Sequence, residues 1–368
     1  MDAYSYRCCF FKAFSSVATV VSVMNGSKSL ESLHEPALAR APRLDDVARF
    51  RASADVMVLP YVCCNNLRAL SKCKRLLLPT DPPLVILLNK VFEYLDNKLS
   101  WIRSLGRPCT SQQRHAVATL HGAAYGPCSG NRSNGVALVV TAAPASVDFE
   151  ASTGVRTRYL PYASSEAFGQ FASSRRPVAY AYDLGFSGGY QMYARRYPLR
   201  ATLLAPRKRR NGTVYTPSVR ETLVSEGYRV GVWGWMATAD YIRKLGTSKV
   251  WLATTESGDH VGTRFYEVMM SGRALLLCNR APQAYEAIGL VEGVHAAMFN
   301  TSEEALRVLR YYLHHEDERL RIVANARRFV RSHHLWRHRA TELVELIHDA
   351  LDGAGSGSSS SSSSFAWS

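Results

Sequence analysis

The sequence predicts a two-domain α/β protein built from doubly wound layers of parallel strands and helices. With 368 residues, the chain exceeds what one hydrophobic core usually organises. Hydrophobic residues make up 47% and charged residues 20%, so both domains have the composition needed to bury a core. Short apolar runs alternate along the chain with segments of helical period, and this order of elements produces doubly wound parallel sheets.

The first predicted domain covers residues 1–170. Three apolar runs that end in turn residues predict buried strands, at 55–60, 84–88 and 135–141. Residues 89–105 carry apolar side chains at helical spacing, and Gly106 then ends the predicted helix. Residues 17–24, VATVVSVM, predict a first strand. Because Lys12 interrupts the apolar stretch that contains them, we expect neither a signal peptide nor a membrane span.

The second predicted domain covers residues 171–351, and its elements alternate more regularly. The predicted strands are 184–189, 228–233, 249–254, 274–278 and 296–300, and the predicted helices are 197–204, 219–226, 239–245 and 263–271. The charged segment 207–212 predicts a loop. Thr301 and Glu304 have capping-box spacing and open a helical stretch to about residue 350. Its apolar residues recur at helical spacing: Leu306, Leu309, Leu313, Leu320, Val323, Ala324, Leu343 and Ile347. The serine-rich tail, 352–368, is expected to be disordered.

The chain is strongly basic, with a formal net charge of +15. This balance favours anionic partners such as nucleotides, phosphorylated sugars, nucleic acid or an acidic membrane surface. No zinc-finger, basic-zipper or single-strand-RNA motif is present, so no specific nucleic acid is expected. The eight cysteines form no C-x-x-C pair, and reduced thiols in a cytoplasmic protein are predicted.

The segment 256–277 follows a predicted strand, at the end of a sheet where open α/β proteins bind their ligands. Gly258 and Gly262 allow close approach of the backbone to a ligand. The next helix begins near Thr263, so its first N–H groups and its dipole favour a phosphate in the same crevice.

Two carboxylates belong to this segment. Glu267 lies one turn into the helix, where it is able to accept hydrogen bonds from the two ribose hydroxyls of a nucleotide. Asp259 lies in the preceding loop and is placed to face a transferred sugar. The alternatives are a solvated surface carboxylate for Glu267 and an ordinary loop turn for Asp259. Gly188 and Gly189, after the first strand of this domain, predict either a tight turn or a second point of ligand approach.

The spacing Asp259-x7-Glu267 resembles the acidic E-x7-E signature of retaining glycosyltransferases with the GT-B fold. The stretch from about 160 to 351 is more closely similar to the CgeB-like spore-maturation glycosyltransferases, within the glycosyl transferases group 1 type. The segments that carry this resemblance are 182–189, 197–200, 227–234, 264–267, 271–272, 311–313, 318–319, 332–334 and 337–339.

The resemblance implies two Rossmann-like domains that face each other across a cleft. The second would hold a nucleotide-diphosphate sugar and the first an acceptor, which is a glycan, a lipid or a protein. It implies transfer with retention, without a metal or another cofactor, because basic side chains and a helix dipole neutralise the diphosphate. Arg196, Arg200 and Arg264 are then candidate diphosphate ligands, Glu267 the ribose ligand, and Asp259 and His260 the candidate catalytic residues.

Two other function classes stay open at this point. A GT-B-like scaffold without catalytic activity would bind a nucleotide sugar and not transfer it. A nucleic-acid-binding protein would use the net charge of +15 and would bind with steep salt dependence.

Overall fold

The computed structural model describes residues 57–59, 84–88, 136–142, 144, 150–151, 155–172, 178–189, 198–205, 207–208, 215–255 and 261–352. Of these, residues 161–339 form one compact unit, and the residues up to 160 together with 340–352 form another. The predicted strand at 17–24, the predicted helix at 89–105 and the tail from 353 lie outside the described residues. The predicted domain boundaries stay predictions.

The described strands are β1 Met57–Leu59, β2 Leu84–Leu88, β3 Val136–Thr141, β4 Thr157–Tyr159, β5 Tyr182–Ser187, β6 Arg207–Lys208, β7 Tyr215–Thr216, β8 Val230–Trp233, β9 Ser248–Ala253, β10 Leu275–Asn279 and β11 Ala297–Phe299. The described helices are α1 Pro198–Leu204, α2 Val219–Ser225, α3 Thr238–Gly246, α4 Thr263–Ser271, α5 Pro282–Glu286, α6 Ser302–His314, α7 Glu316–His333 and α8 Trp336–Asp352. A short 3-10 helix covers Glu166–Gly169.

The first sheet has four parallel strands in the order β1-β2-β3-β4. Residues Leu84 to Leu87 of β2 are completely buried, as expected for an apolar strand with neighbours on both sides. The three strands predicted in this part of the chain are confirmed, whereas β4 was not predicted.

The second sheet has five parallel strands in the order β11-β10-β9-β5-β8. From β5 the chain moves outward to the edge strand β8, then returns to place β9 on the other side of β5. Strand order therefore reverses between β5 and β9, and at such a point open α/β sheets form a crevice at the carboxyl ends of the strands. The predicted strands and helices of this unit are confirmed to within a few residues.

Large side chains pack against the second sheet, and a glycine in β5 leaves space for the largest of them, Trp251. Trp251 in β9 is fully buried and stacks on Trp233 at 5.8 Å between ring centroids. A Cβ on Gly185 of the neighbouring β5 would lie 2.5 Å from the Trp251 ring. A larger residue at 185 would therefore displace this packing.

Two features of the second unit differ from the prediction. Arg207 and Lys208, predicted in a loop, form a short antiparallel pair with β7. On α7, Leu320 and Ala324 were predicted on the buried face but are exposed. The buried positions of α7 are Arg319, Ile322, Val323, Ala326 and Val330.

Arg319 explains why the buried face of α7 differs from the predicted one. Its side chain is fully buried, and Nη1 donates to the carbonyls of Lys249 and Arg273 at 2.9 and 3.0 Å. Nη2 donates to the Tyr180 hydroxyl, and Glu316 supplies the counter-charge. The guanidinium thus satisfies carbonyls at the starts of β9 and β10, so α7 turns this charged residue inward and Leu320 outward.

Arg319→Met should lower the free energy of unfolding by about 3 kcal/mol, because two buried carbonyls and a hydroxyl lose their donors. Urea unfolding followed by circular dichroism measures the change. Arg321→Met, at an exposed position of the same helix, is the matched control and should change stability by less than about 0.5 kcal/mol. Equal effects of the two substitutions would contradict this account of α7.

Candidate functional site

The turn after β5 lies at the point where strand order reverses. Gly188 has φ of 124°, a conformation that L-residues rarely adopt, and its N–H donates to the Trp233 carbonyl at 2.9 Å. A Cβ at this position would lie 3.0 Å from Nη1 of Arg264. The glycine therefore permits both the turn and the close approach of a guanidinium from α4.

Arg200, on α1, joins the loops that follow β5 and β9. Its Nε donates to the Thr254 hydroxyl at 2.9 Å, and its Nη2 donates to the Thr254 carbonyl at 3.3 Å. Its Nη1 donates to the Gly189 carbonyl at 3.3 Å. The planar guanidinium thus holds the carboxyl ends of two adjacent strands in a fixed relation.

Both arginines lie against the same aromatic ring. The guanidinium carbon of Arg200 lies 5.6 Å from the centroid of the Phe186 ring, and that of Arg264 lies 6.0 Å from it. Phe186 is completely buried near the end of β5. Two cations at one sheet edge create a local positive potential that favours an anion.

The amino end of α4 points to the same edge, since α4 follows β9. Its N-cap is Gly262, which has no side chain to cap the first N–H groups of α4, and among the described residues no capping side chain bonds to them. A Cβ on Gly262 would meet no atom of the described chain within 4 Å. Asn279 fixes the start of the preceding loop, because its side-chain oxygen accepts from the Thr255 N–H at 2.9 Å.

Glu267 does not lie on the solvated surface of α4. It is 6% exposed, and among the described residues its Oε2 has no hydrogen-bond partner. Burial raises the pKa of this carboxyl to about 7, although Arg264, Tyr241 and Thr263 stabilise its charged form. A carboxylate in this position is strongly disposed to accept hydrogen bonds from a ligand.

Two more polar atoms beside Glu267 lack partners in the described part of the chain: Tyr241 Oη and Arg264 Nε. The Arg264 guanidinium lies 6.0 Å from the centroid of the Tyr241 ring. Tyr241 lowers the pKa of Glu267, yet its hydroxyl does not have the geometry of a hydrogen bond to Glu267 Oε2. Buried polar groups normally have partners, so three orphan atoms in one cluster indicate a binding site.

The structure brings together six of the predicted site residues: Gly188, Gly189, Arg200, Gly262, Arg264 and Glu267. Arg196, Asp259 and His260 lie outside the described residues, and their predicted roles stay predictions. Sequence analysis missed Tyr241, because a tyrosine on an amphipathic helix has the pattern of an ordinary core residue. It also missed Thr254 and the 69% exposed Trp235, which follows β8 at the same edge.

Among the described residues, no helix is both long and apolar enough to span a membrane. Within the same residues, no three His, Cys, Asp or Glu side chains are grouped so that they could hold a metal ion.

Residues 195–345 match the family model described as "Glycosyl transferase-like". No curated protein sequence matches the chain. The fold is similar to that of the DNA-modifying enzyme β-glucosyltransferase (TM-score 0.52, 13% identity, covering 95% of this chain and 94% of that chain). It is also similar to sucrose-phosphate synthase from Thermosynechococcus elongatus (TM-score 0.52, 10% identity, covering 96% and 93%). HepE from Anabaena, solved in complex with UDP-glucose, has a TM-score of 0.50 and 14% identity over 83% of this chain and 81% of its own.

These similarities establish the fold class: a mixed α/β protein with parallel sheets, similar to GT-B glycosyltransferase structures. The family match covers residues 195–345, and the three structures share 10–14% identity with the chain, so these similarities concern the fold. The family match includes α4, and so it covers both Arg264 and Glu267.

Gly188→Ala should lower the free energy of unfolding by about 1–3 kcal/mol, because alanine strains the positive φ and its methyl group crowds Arg264. Gly262→Ala is the control, since this glycine has φ of −70° and a Cβ added to it would meet no described atom within 4 Å; it should cost less than about 1 kcal/mol. The midpoint temperature of thermal unfolding, compared with that of the wild type, reports the loss of stability in each variant. A larger loss for Gly262→Ala than for Gly188→Ala would contradict this description of the turn.

The raised pKa of Glu267 predicts a pH dependence of stability in the absence of ligand. Its folded pKa of about 7 lies above the usual 4.5, so its stabilising contribution is complete below pH 4.5 and is lost as the pH rises to about 7. Glu267→Gln mimics the protonated acid. Above pH 7 this variant should be more stable than the wild type by up to about 3 kcal/mol, and the difference should disappear near pH 4.5. A constant difference across this range, measured by urea unfolding, would show that Glu267 is not buried as described.

Proposed function

We propose that this chain is a glycosyltransferase that binds a nucleotide-diphosphate sugar at the carboxyl ends of β5 and β9 and transfers the sugar to an acceptor. The observation that carries the proposal is the buried Glu267 carboxylate, whose Oε2 has no hydrogen-bond partner among the described residues and which lies beside the guanidinium of Arg264. A structural carboxylate would have its partners within the fold. A carboxylate that binds a ligand obtains them from the ligand.

The arrangement fits a nucleoside diphosphate. Glu267 offers two oxygens for the two ribose hydroxyls, and a charge-assisted hydrogen bond of this kind is about twice as strong as a neutral one. Arg264 and the uncapped amino end of α4 offer donors to the diphosphate. Arg200 braces the loops on either side and keeps its positive charge at the same edge. The complex of HepE with UDP-glucose supports uridine as the first base to test.

For the chemical step, we propose that Asp259 faces the transferred sugar and that His260 and Arg196 complete the site. The support is their position in the sequence: Asp259 and His260 lie in the loop that enters α4, and Arg196 lies two residues before α1. Retention of configuration rests on the Asp259-x7-Glu267 spacing. Catalysis without a metal rests on the two arginines and the dipole of α4, which supply positive charge where the leaving diphosphate needs it.

The other parts of the proposal rest on sequence. The acceptor is a glycan, a lipid or a protein, bound by the part of the chain that precedes residue 171. The CgeB-like resemblance supports membership of that branch of the family. The absence of a C-x-x-C pair among the eight cysteines favours reduced thiols and a cytoplasmic location.

Glu267→Ala should weaken the binding of UDP by about 1–3 kcal/mol, because the ribose loses its charge-assisted hydrogen bonds. Isothermal titration with UDP and UDP-glucose, after a thermal-shift screen of UDP-, GDP-, ADP- and CDP-sugars, measures the loss. Glu345→Ala, at an exposed position of α8, is the control and should bind as the wild type does.

The outcomes separate the function classes. Binding together with release of free sugar or transfer to an acceptor supports an enzyme, whereas tight binding without turnover identifies a binding module on the same scaffold. Unchanged affinity in Glu267→Ala would remove Glu267 from the site. Salt-dependent binding of nucleic acid, with no binding of any nucleotide sugar, would identify a nucleic-acid-binding protein instead.

A further inference from the structure

Tyr241 is held rigidly in the core below the candidate site. It lies on α3 and is 1% exposed. Its ring packs edge-on against Trp251 at 5.4 Å and against Phe168 at 5.9 Å. These contacts fix the ring and therefore the place of its hydroxyl.

Packing explains the aromatic ring of Tyr241 but does not explain why the ring carries a hydroxyl. In the described part of the chain it has no hydrogen-bond partner, and a buried hydroxyl without one costs about 1–3 kcal/mol. Phenylalanine would make the same ring contacts without this cost. Burial raises the pKa of Tyr241 well above its usual range, and the Glu267 charge raises it further, so the hydroxyl keeps its proton and acts as a donor.

The group that Tyr241 is placed to serve is Glu267. The tyrosine hydroxyl stabilises the charged form of the Glu267 carboxyl, and Glu267 Oε2 is the neighbouring acceptor without a described partner. From α4, Arg264 is the charged group that faces the same carboxyl. From α7, which packs on α4, Arg327 lies against Gly272 at the opposite end of that helix. A donor and an acceptor, each without a partner among the described residues, thus interact with each other.

We propose that Tyr241 is a positioning residue: its O–H donates to the Glu267 carboxylate when this group is ionised, and this bond fixes the orientation in which Glu267 accepts the ribose hydroxyls of a nucleotide. The inference rests on the proposed function and deepens it. A carboxylate has about four acceptor positions, so one bond from Tyr241 leaves room for both ribose hydroxyls. The bond also offsets part of the cost of a buried negative charge, and it keeps the long Glu267 side chain from having to order itself on binding.

Tyr241→Phe tests the proposal, because it removes one oxygen atom and keeps the ring. At pH 7, the Kd for UDP should rise by roughly 5- to 10-fold. The pH at which binding reaches half its full strength should also move upward by about half a unit to one unit, because the carboxylate loses a donor that favours its charged form. Tyr266→Phe, at a fully buried tyrosine next to Glu267 in sequence, is the matched control and should leave the pH midpoint unchanged.

A second measurement needs no ligand. In Tyr241→Phe, the loss of stability that accompanies ionisation of Glu267 should extend to higher pH than in the wild type, as measured by urea unfolding. A variant with wild-type affinity and an unchanged pH profile in both experiments would overturn the role of Tyr241. If the wild type binds no nucleotide, the proposed function fails. The ligand-free titration still decides whether Tyr241 acts on Glu267.

Discussion

The candidate site depends on one electrostatic constraint, the burial of the Glu267 carboxyl beside Arg264 and Tyr241. A buried carboxylate is expensive unless hydrogen bonds and a counter-charge compensate for the lost water. Here the compensation is partial, since Arg264 and Tyr241 stabilise the charge but the described chain supplies no hydrogen bond to Oε2. The remaining cost is recovered when a ligand offers hydroxyl donors, so a feature that lowers stability contributes directly to affinity.

The order of the strands determines where this constraint acts. Because β5 lies between β8 and β9, the loops after β5 and β9 enter α1 and α4 from neighbouring points at one edge of the sheet. Gly188 gives Arg264 room to approach the first loop, and Arg200 ties that loop to Thr254 of the second. The described start of each loop, Gly188 and Gly189 after β5 and Thr254 after β9, is therefore held within the fold itself, which would reduce the ordering cost of binding.

Local pattern predicted most of this arrangement, and the failures have physical causes. Helix α4 was predicted with its observed ends, because Gly272 in the left-handed conformation stops it. On α7, Val323 is buried as predicted but Leu320 and Ala324 are not, because periodicity assigns arginine to the solvent and cannot show that two carbonyls need Arg319 as a donor. Tyr241 was missed for a similar reason. Its relation to Glu267 joins residues 26 positions apart on different helices, and a hydrophobic pattern carries no information about an unsatisfied hydroxyl.

The raised pKa of Glu267 also bears on the choice between a small nucleotide and a polymer. An ionised carboxylate at the sheet edge would repel any phosphate, but near neutral pH this group is partly protonated and the arginines dominate the local field. Electrostatics alone therefore permits both a small nucleotide and a nucleic acid. The burial of Glu267 distinguishes between the two. Glu267 is 6% exposed, so the backbone of a nucleic acid lying across the surface would not reach it, whereas the proposed nucleotide would have to bring its ribose below that surface. The strong basicity of the whole chain favours anions in general, whereas a buried acid would favour an anion that brings hydroxyl donors with its phosphates.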